Sequence, residues 1–344
     1  MQFTVEHTIN NWKHYTLENN NGMQVKFLDF GGIITNITVP DQNGQKENIV
    51  LTYKNVVDYK KNPLYLGALI GRVAGRIANA EFAIGDKAYK IGANEGNHHL
   101  HGGNNGLHQV IWDTEAFSTE NSVGVKLSHT SPHGTEGYPG TVQIMVTYTL
   151  TNNNEFIIDY HATTDRPTIF TMTNHSYFNL SGNVKSTVHN HQVIMASDQF
   201  VELDEELIPT GRKLHVDNTV FDFRSGRRLS EGISSDFSQN VIVGNGYDHY
   251  FLFSSPLKRE QIRVSEKTSG RHMTIYTNQP GVVMYTSNGM AQGIQLESGL
   301  SKKYLGVCFE TQGSPAALQH KDFPNIILHP NEVYEKQTLF SFGW

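Results

Sequence analysis

Wherever a periodicity can be read along this chain it is a period of two, and that restricts the architectures open to it. From Val142 through Ile144, Val146 and Tyr148 to Leu150, apolar side chains alternate with Gln143, Thr147 and Thr149. Successive side chains on a strand point to opposite faces, so this run predicts a half-buried antiparallel strand. Asn152, Asn153 and Asn154 follow, residues that tolerate turn conformations, and then Phe156, Ile158 and Tyr160 alternate with Glu155, Asp159 and His161. The two runs predict a hairpin. A second is predicted where Phe82, Ala83 and Ile84 meet Gly85-Asp86-Lys87 and return through Tyr89 and Ile91. Met23 to Val39 reads as two more strands broken at Gly31-Gly32. No long amphipathic helical pattern competes with these strands, and 31 glycines punctuate the chain. The expectation is an all-β protein, a sandwich or a barrel. Neither a repeat, nor a low-complexity linker, nor a shift in composition divides the chain, so residues 1–344 are expected to form a single domain.

Composition narrows the function classes. Hydrophobic residues make up 38% and charged residues 17%, with no apolar run near the roughly 20 residues that span a bilayer. No membrane role is expected. The first twenty residues are polar and lack the basic and apolar regions of a signal peptide, which predicts a cytoplasmic protein. A single cysteine, Cys308, excludes an internal disulfide framework and a cysteine-rich zinc site. With a net charge of -6 and scattered Lys and Arg residues, there is no basic stripe to track phosphates, so nucleic acid is not an expected partner.

Histidine titrates near neutrality and suits proton transfer. Two of the 17 histidines stand in glycine-, asparagine- or aromatic-rich segments: His101 in Leu100-His101-Gly102-Gly103, and His175 in Thr173-Asn174-His175-Ser176-Tyr177-Phe178-Asn179. The competing account of any one histidine is a surface or hydrogen-bonded core residue. Asp248, in Gly246-Tyr247-Asp248-His249-Tyr250-Phe251, and Glu310, in Val307-Cys308-Phe309-Glu310-Thr311-Gln312, are carboxylates flanked by apolar or aromatic residues. Burying a carboxylate is costly unless it is paired, so each either faces solvent or lines a functional pocket.

In these contexts the chain resembles the aldose 1-epimerase, or galactose mutarotase, family. The resemblance rests on ordered blocks that span most of the sequence: Gly71-Arg72-Val73-Ala74-Gly75-Arg76-Ile77-Ala78, Asn94-Glu95-Gly96 with Leu100-His101-Gly102-Gly103, Gly137-Tyr138-Pro139-Gly140, Thr173 to Leu180, Gly246-Tyr247-Asp248-His249, and Phe309-Glu310-Thr311-Gln312. It implies a large antiparallel β-sandwich of the galactose mutarotase-like supersandwich type with an open sugar cleft. It also implies an isomerase that interconverts the α and β anomers of a free aldohexose without cofactor or metal. Glu310 then corresponds to the general base and His175 to the general acid, with Gly75, Arg76, His101, Tyr177 and Asp248 at substrate-binding positions. Opening a hemiacetal requires removal of the C1 hydroxyl proton and delivery of a proton to the ring oxygen, so one base and one acid suffice. In this scheme Glu310 begins ionised and His175 protonated. The chain departs from the family pattern at Val283-Met284, ahead of Tyr285-Thr286, where many relatives carry a glutamine.

Other signals compete. His98, His99 and His101, and also His189 and His191, have spacings compatible with metal ligation, but no carboxylate supports either group. Cys308 lies two residues before Glu310, so both project to one face of a strand. Rival functions are a non-catalytic carbohydrate-binding sandwich, a glycoside hydrolase using Asp248 and Glu310, and a hexose 6-phosphate epimerase reading its phosphate with Arg72 and Arg76. A monomer and a homodimer are both compatible with the sequence.

Overall fold

The computed structural model describes residues 1–254 and 260–344. Strands dominate, and among the described residues they assemble into a sandwich with no barrel. A nine-stranded sheet runs in the order Asp113–Ser118, Ser122–Ser131, Val142–Thr151, Glu155–Thr164, Tyr334–Gly343, His272–Thr277, Ile262–Ser265, Gln192–Met195 and Arg227–Arg228. A six-stranded sheet orders Tyr177–Phe178, Val307–Gln312, Gly281–Tyr285, Asp248–Leu252, Gln199–Leu203 and Pro209–His215. Five N-terminal strands between Gln2 and Asn48 form a third sheet. Neighbours within the three sheets pair antiparallel.

The alternating run from Val142 pairs with the strand from Glu155 in the register Leu150↔Phe156 to Val142↔Thr164, closing the expected hairpin. Strands Glu81–Ile84 and Lys87–Lys90 form the second, turning through Gly85 at φ +58°. The two strands between Met23 and Val39 break where expected, because Gly31 and Gly32 both take positive φ. Inward residues of all three sheets meet in one core: Val25 and Phe27 from the five-stranded sheet, Val146, Tyr148 and Ile158 from the nine-stranded, and Val282, Met284, Val307 and Phe309 from the six-stranded. The α-helices among the described residues are five-residue segments, Leu229–Ile233 and Ser238–Ile242. None is long and apolar enough to cross a membrane.

Candidate active site

The six-stranded sheet supplies one wall of the site through its register. Tyr177, Cys308, Tyr285 and Asp248 are consecutive cross-strand partners, and Glu310, Val283 and Tyr250 form the neighbouring row. The intervening residues Val307, Phe309, Val282, Met284 and Phe251 go to the core. Period two therefore places both rows on the opposite face. All of these row residues except Cys308 line a cavity of about 330 Å³, within the range of small-molecule sites.

The facing wall is fixed by Arg72. Its guanidinium is 2% exposed and donates to Ser131 Oγ and to the carbonyls of Ser131, Pro132, Pro139 and Gly140 at 2.7–2.9 Å. That anchors the loop carrying Gly75 and Arg76. Gly75 adopts φ +88°, and a Cβ there would lie 2.9 Å from Pro315 Cγ, so only glycine fits. Its N–H donates to His101 Nδ1 at 3.2 Å, and its carbonyl accepts the His101 N–H at 3.2 Å. Because Nδ1 accepts, the proton of the neutral ring sits on Nε2, making His101 a donor toward the cavity. His101 at φ +52° and Tyr65 at φ +53° both occupy the left-handed region, costly for side chains of this size and enriched at functional sites.

Arg76 is held by Glu95 through two bonds, Nε–Oε2 at 2.6 Å and Nη2–Oε1 at 3.0 Å, and its Nη1 lies 3.7 Å from Asp248 Oδ2. The chief influence on Asp248 is burial, which raises its carboxyl above the usual range, with Arg76 opposing. Buried His175 presents Nε2 to Glu310 Oε1 at 3.4 Å. Its ring lies between Tyr177, 5.0 Å away and tilted 33°, and Tyr65, 6.0 Å away and tilted 29°. Burial depresses His175 to about 4, whereas burial and then the Asp248 carboxylate push Glu310 well above the ordinary carboxylate range. Burial thus disfavours the charged form of each partner, and a single proton shared by the pair favours Glu310 over His175. The scheme that the family resemblance implies has that proton on His175 instead. Glu310 Oε2 is buried without a hydrogen-bond partner among the described residues, an orphan that a substrate hydroxyl would satisfy.

His101, His175 and Glu310 have ligand atoms within 4.8 Å of one another. The Gly75 N–H on His101 Nδ1 leaves a protonated Nε2 facing inward, which disfavours metal ligation there. The spacing-based histidine groups have other partners as well. His98 Nδ1 accepts from the Asn79 N–H, and His99 contacts Gly92 O and Tyr138 OH through its two nitrogens. His189 Nδ1 meets Thr187 Oγ1, and His191 Nε2 accepts from the Leu180 N–H.

Gly75, Arg76, His101, His175, Tyr177, Asp248 and Glu310, widely separated in sequence, all line the one cavity. The hydroxyl of Tyr177 is already donated to Leu64 O at 3.0 Å, so its ring packs on His175 while its proton is engaged. Arg72 is not available to a phosphate, since its donors are spent on backbone carbonyls and Ser131. Sequence reasoning did not single out Tyr65, Glu95 or Tyr285 as cavity residues. Glu95 and Tyr285 lie in segments that carry the family resemblance or its departure, whereas the backbone conformation of Tyr65 leaves no mark on the sequence. Val283, at the departure, pairs with Glu310 in the cavity wall. Trp12 stacks on Phe30 and Trp112 is buried in the core, away from the cavity.

Comparison with known proteins agrees with this architecture. A family model described as Aldose 1-epimerase matches residues 13–341. The galactose mutarotase of Bos taurus is 38% identical over 323 residues, covering 93% of this chain and 91% of that protein. A crystal structure of galactose 1-epimerase from Lactobacillus acidophilus superposes with a TM-score of 0.88 at 28% identity, covering 99% of this chain and 98% of the other. An aldose epimerase homologue from C. elegans gives 0.86 at 30% identity, covering 95% and 98%.

Proposed function

This chain belongs to the aldose 1-epimerase family, and on that premise we propose that it is an isomerase interconverting the α and β anomers of free hexoses such as galactose and glucose, with Glu310 as base and His175 as acid. The observation that carries the assignment of roles is the buried contact of 3.4 Å between His175 Nε2 and Glu310 Oε1. A hemiacetal carries its hydroxyl and its ring oxygen on one carbon, so a base and an acid a hydrogen bond apart can address both at once. Transfer of the shared proton from Glu310 to His175 generates carboxylate and imidazolium. Glu310 then takes the C1 hydroxyl proton while His175 gives its Nε2 proton to the ring oxygen. The C1–O5 bond breaks, C1=O forms, and O5 becomes a hydroxyl. Rotation about C1–C2 and the reverse steps close the ring from the other face of the carbonyl.

The remaining residues bind. Arg76 and the Nε2–H of His101 donate to sugar oxygens, while Asp248 and Glu95 accept from hydroxyls. All the walls draw on positions between 63 and 315, which supports treating residues 1–344 as one functional domain. Among the described lining residues the carboxyl and guanidinium groups are Arg76 and the acids Glu95, Asp248 and Glu310, with no cation beyond Arg76. That balance favours a neutral hexose over a hexose phosphate. The acid–base pair favours an enzyme over a passive sugar-binding sandwich.

Polarimetry on freshly dissolved α-D-galactose and α-D-glucose tests the reading, with the spontaneous rate subtracted. Wild type should hasten both relaxations, and Glu310→Gln should lose about 10²–10⁴-fold in rate. Folded wild-type protein that accelerates neither sugar would refute the proposal.

A further inference from the structure

The proton-transfer pair has a third member that the reaction scheme does not use. Cys308 Sγ lies 3.6 Å from Nδ1 of His175, and both residues are buried. Cys308 and Glu310 are two apart on Val307–Gln312, so one strand presents a thiol to one ring nitrogen and a carboxyl to the other. Tyr65 and Tyr177 confine the plane of the ring by packing on its faces. A plane alone permits a 180° flip about Cβ–Cγ, which would exchange Nδ1 with Cδ2 and turn Cε1 toward Glu310. The contacts at Nδ1 and Nε2 select the same flip.

We infer that Cys308 is a positioning residue for proton transfer, its thiol seated on Nδ1 so that Nε2 stays on Glu310 and the imidazole keeps an uncharged partner behind it. During ring opening His175 surrenders its Nε2 proton and retains the one on Nδ1, so Sγ serves as the acceptor. Burial, with Glu310 and Asp248 nearby, keeps the thiol protonated and neutral. A thiol sulfur accepts weakly, in contrast to the buried aspartate that holds a catalytic histidine in serine proteases and stabilises its imidazolium. A weak partner orients the ring without weakening it as an acid.

The inference deepens the epimerase reading and rests on it for its kinetic half, but its spectroscopic half does not. Cys308→Val keeps the side-chain volume close and removes the thiol contact, and Cys308→Ser places a hydroxyl at the same position. Nitrogen-15 NMR of histidine-labelled protein, with His175 identified by loss of its signals in His175→Asn, reports which ring nitrogen carries the proton. Wild type and Cys308→Ser should show one tautomer, protonated at Nδ1, and Cys308→Val a changed tautomer population. In polarimetry Cys308→Val should lose about fivefold in kcat with KM little changed, and Cys308→Ser should recover most of that loss. An unaltered His175 spectrum in a folded Cys308→Val protein would overturn the inference. So would a kcat loss in Cys308→Ser as large as in Cys308→Val, which would indicate packing alone. If wild type fails to accelerate mutarotation, the epimerase reading falls and the spectra still decide whether Cys308 sets the state of His175.

Discussion

Replacing Arg72 by methionine separates a structural role from a ligand-reading one. The substitution keeps an unbranched side chain of comparable reach and removes five hydrogen bonds, leaving the carbonyls of Ser131, Pro132, Pro139 and Gly140 each short of a donor. Pro132 retains the Thr135 N–H. Ser131 likewise keeps its strand partner Val142, so taking about 2–3 kcal/mol for each of Pro139 and Gly140 gives a loss of about 4–6 kcal/mol. Against this stands the cost of burying the guanidinium, which pushes Arg72 down to about 10 and corresponds to about 3 kcal/mol recovered on its removal. The expected net destabilisation is about 1–3 kcal/mol. Unfolding entropy of about 2.1 cal/mol/K per residue makes this a fall of about 1–4 °C in Tm, readable by calorimetry or circular dichroism. KM for galactose should rise as well, since the loop that presents Gly75 and Arg76 loses its anchor. A Tm unchanged from wild type would refute the argument that Arg72 is a buried brace.

The pH profile and a glycine substitution test the site directly. The pair works while it holds one proton, so the acid limb should fall near 4, where His175 takes up a second proton and no base remains. The alkaline limb should come where Glu310, raised by burial, releases the last proton and no acid remains. An acid limb centred at the ordinary histidine value of 6.5 would show the imidazole to be solvated during turnover. Gly75→Ala forces a Cβ against Pro315 at φ +88°, a backbone cost of about 1–2 kcal/mol before the overlap is counted. By shifting the N–H that orients His101 it should also lower kcat/KM by up to about 10²-fold. Wild-type melting and rate for that variant would contradict the role given to Gly75.

The fold was legible where one face of a strand is dry and the other wet, as in Val142–Thr151, because there the alternation is written in the residue types. It was illegible in Val307–Gln312, whose residues are all buried, so that Glu310 stands among neighbours with no polar partner face to reveal its direction. The cross-strand rows that bring Asp248 and Tyr177 to Cys308 depend on non-local register, which local pattern does not encode. Arg72 misleads for a related reason. In sequence it reads as a candidate phosphate contact, and its partners lie 59 to 68 residues away. The ordered blocks of family resemblance supplied the site members that periodicity had no means of joining, but they could not report the left-handed backbone of Tyr65 and His101 or the protonation of the pair.

On the proposed reading, the electrostatic layout lets one small cavity both bind a polyhydroxyl substrate and transfer protons. Arg76 lies between Glu95 and Asp248, so one guanidinium offsets part of the charge of two carboxylates. The proposed acid and base stand beside that cluster, where the Asp248 carboxylate helps raise Glu310, and moving one shared proton between them creates a dipole without importing an ion. Burial that disfavours each ionic form singly also lowers the affinity of His175 for a proton, and an imidazolium of low pKa is a strong donor to a developing alkoxide. The same burial raises the basicity of the Glu310 carboxylate once it forms. Burial thus shifts the proton affinities of both groups in the directions that the proposed ring opening needs, and its cost is the unfavourable transfer that precedes the reaction.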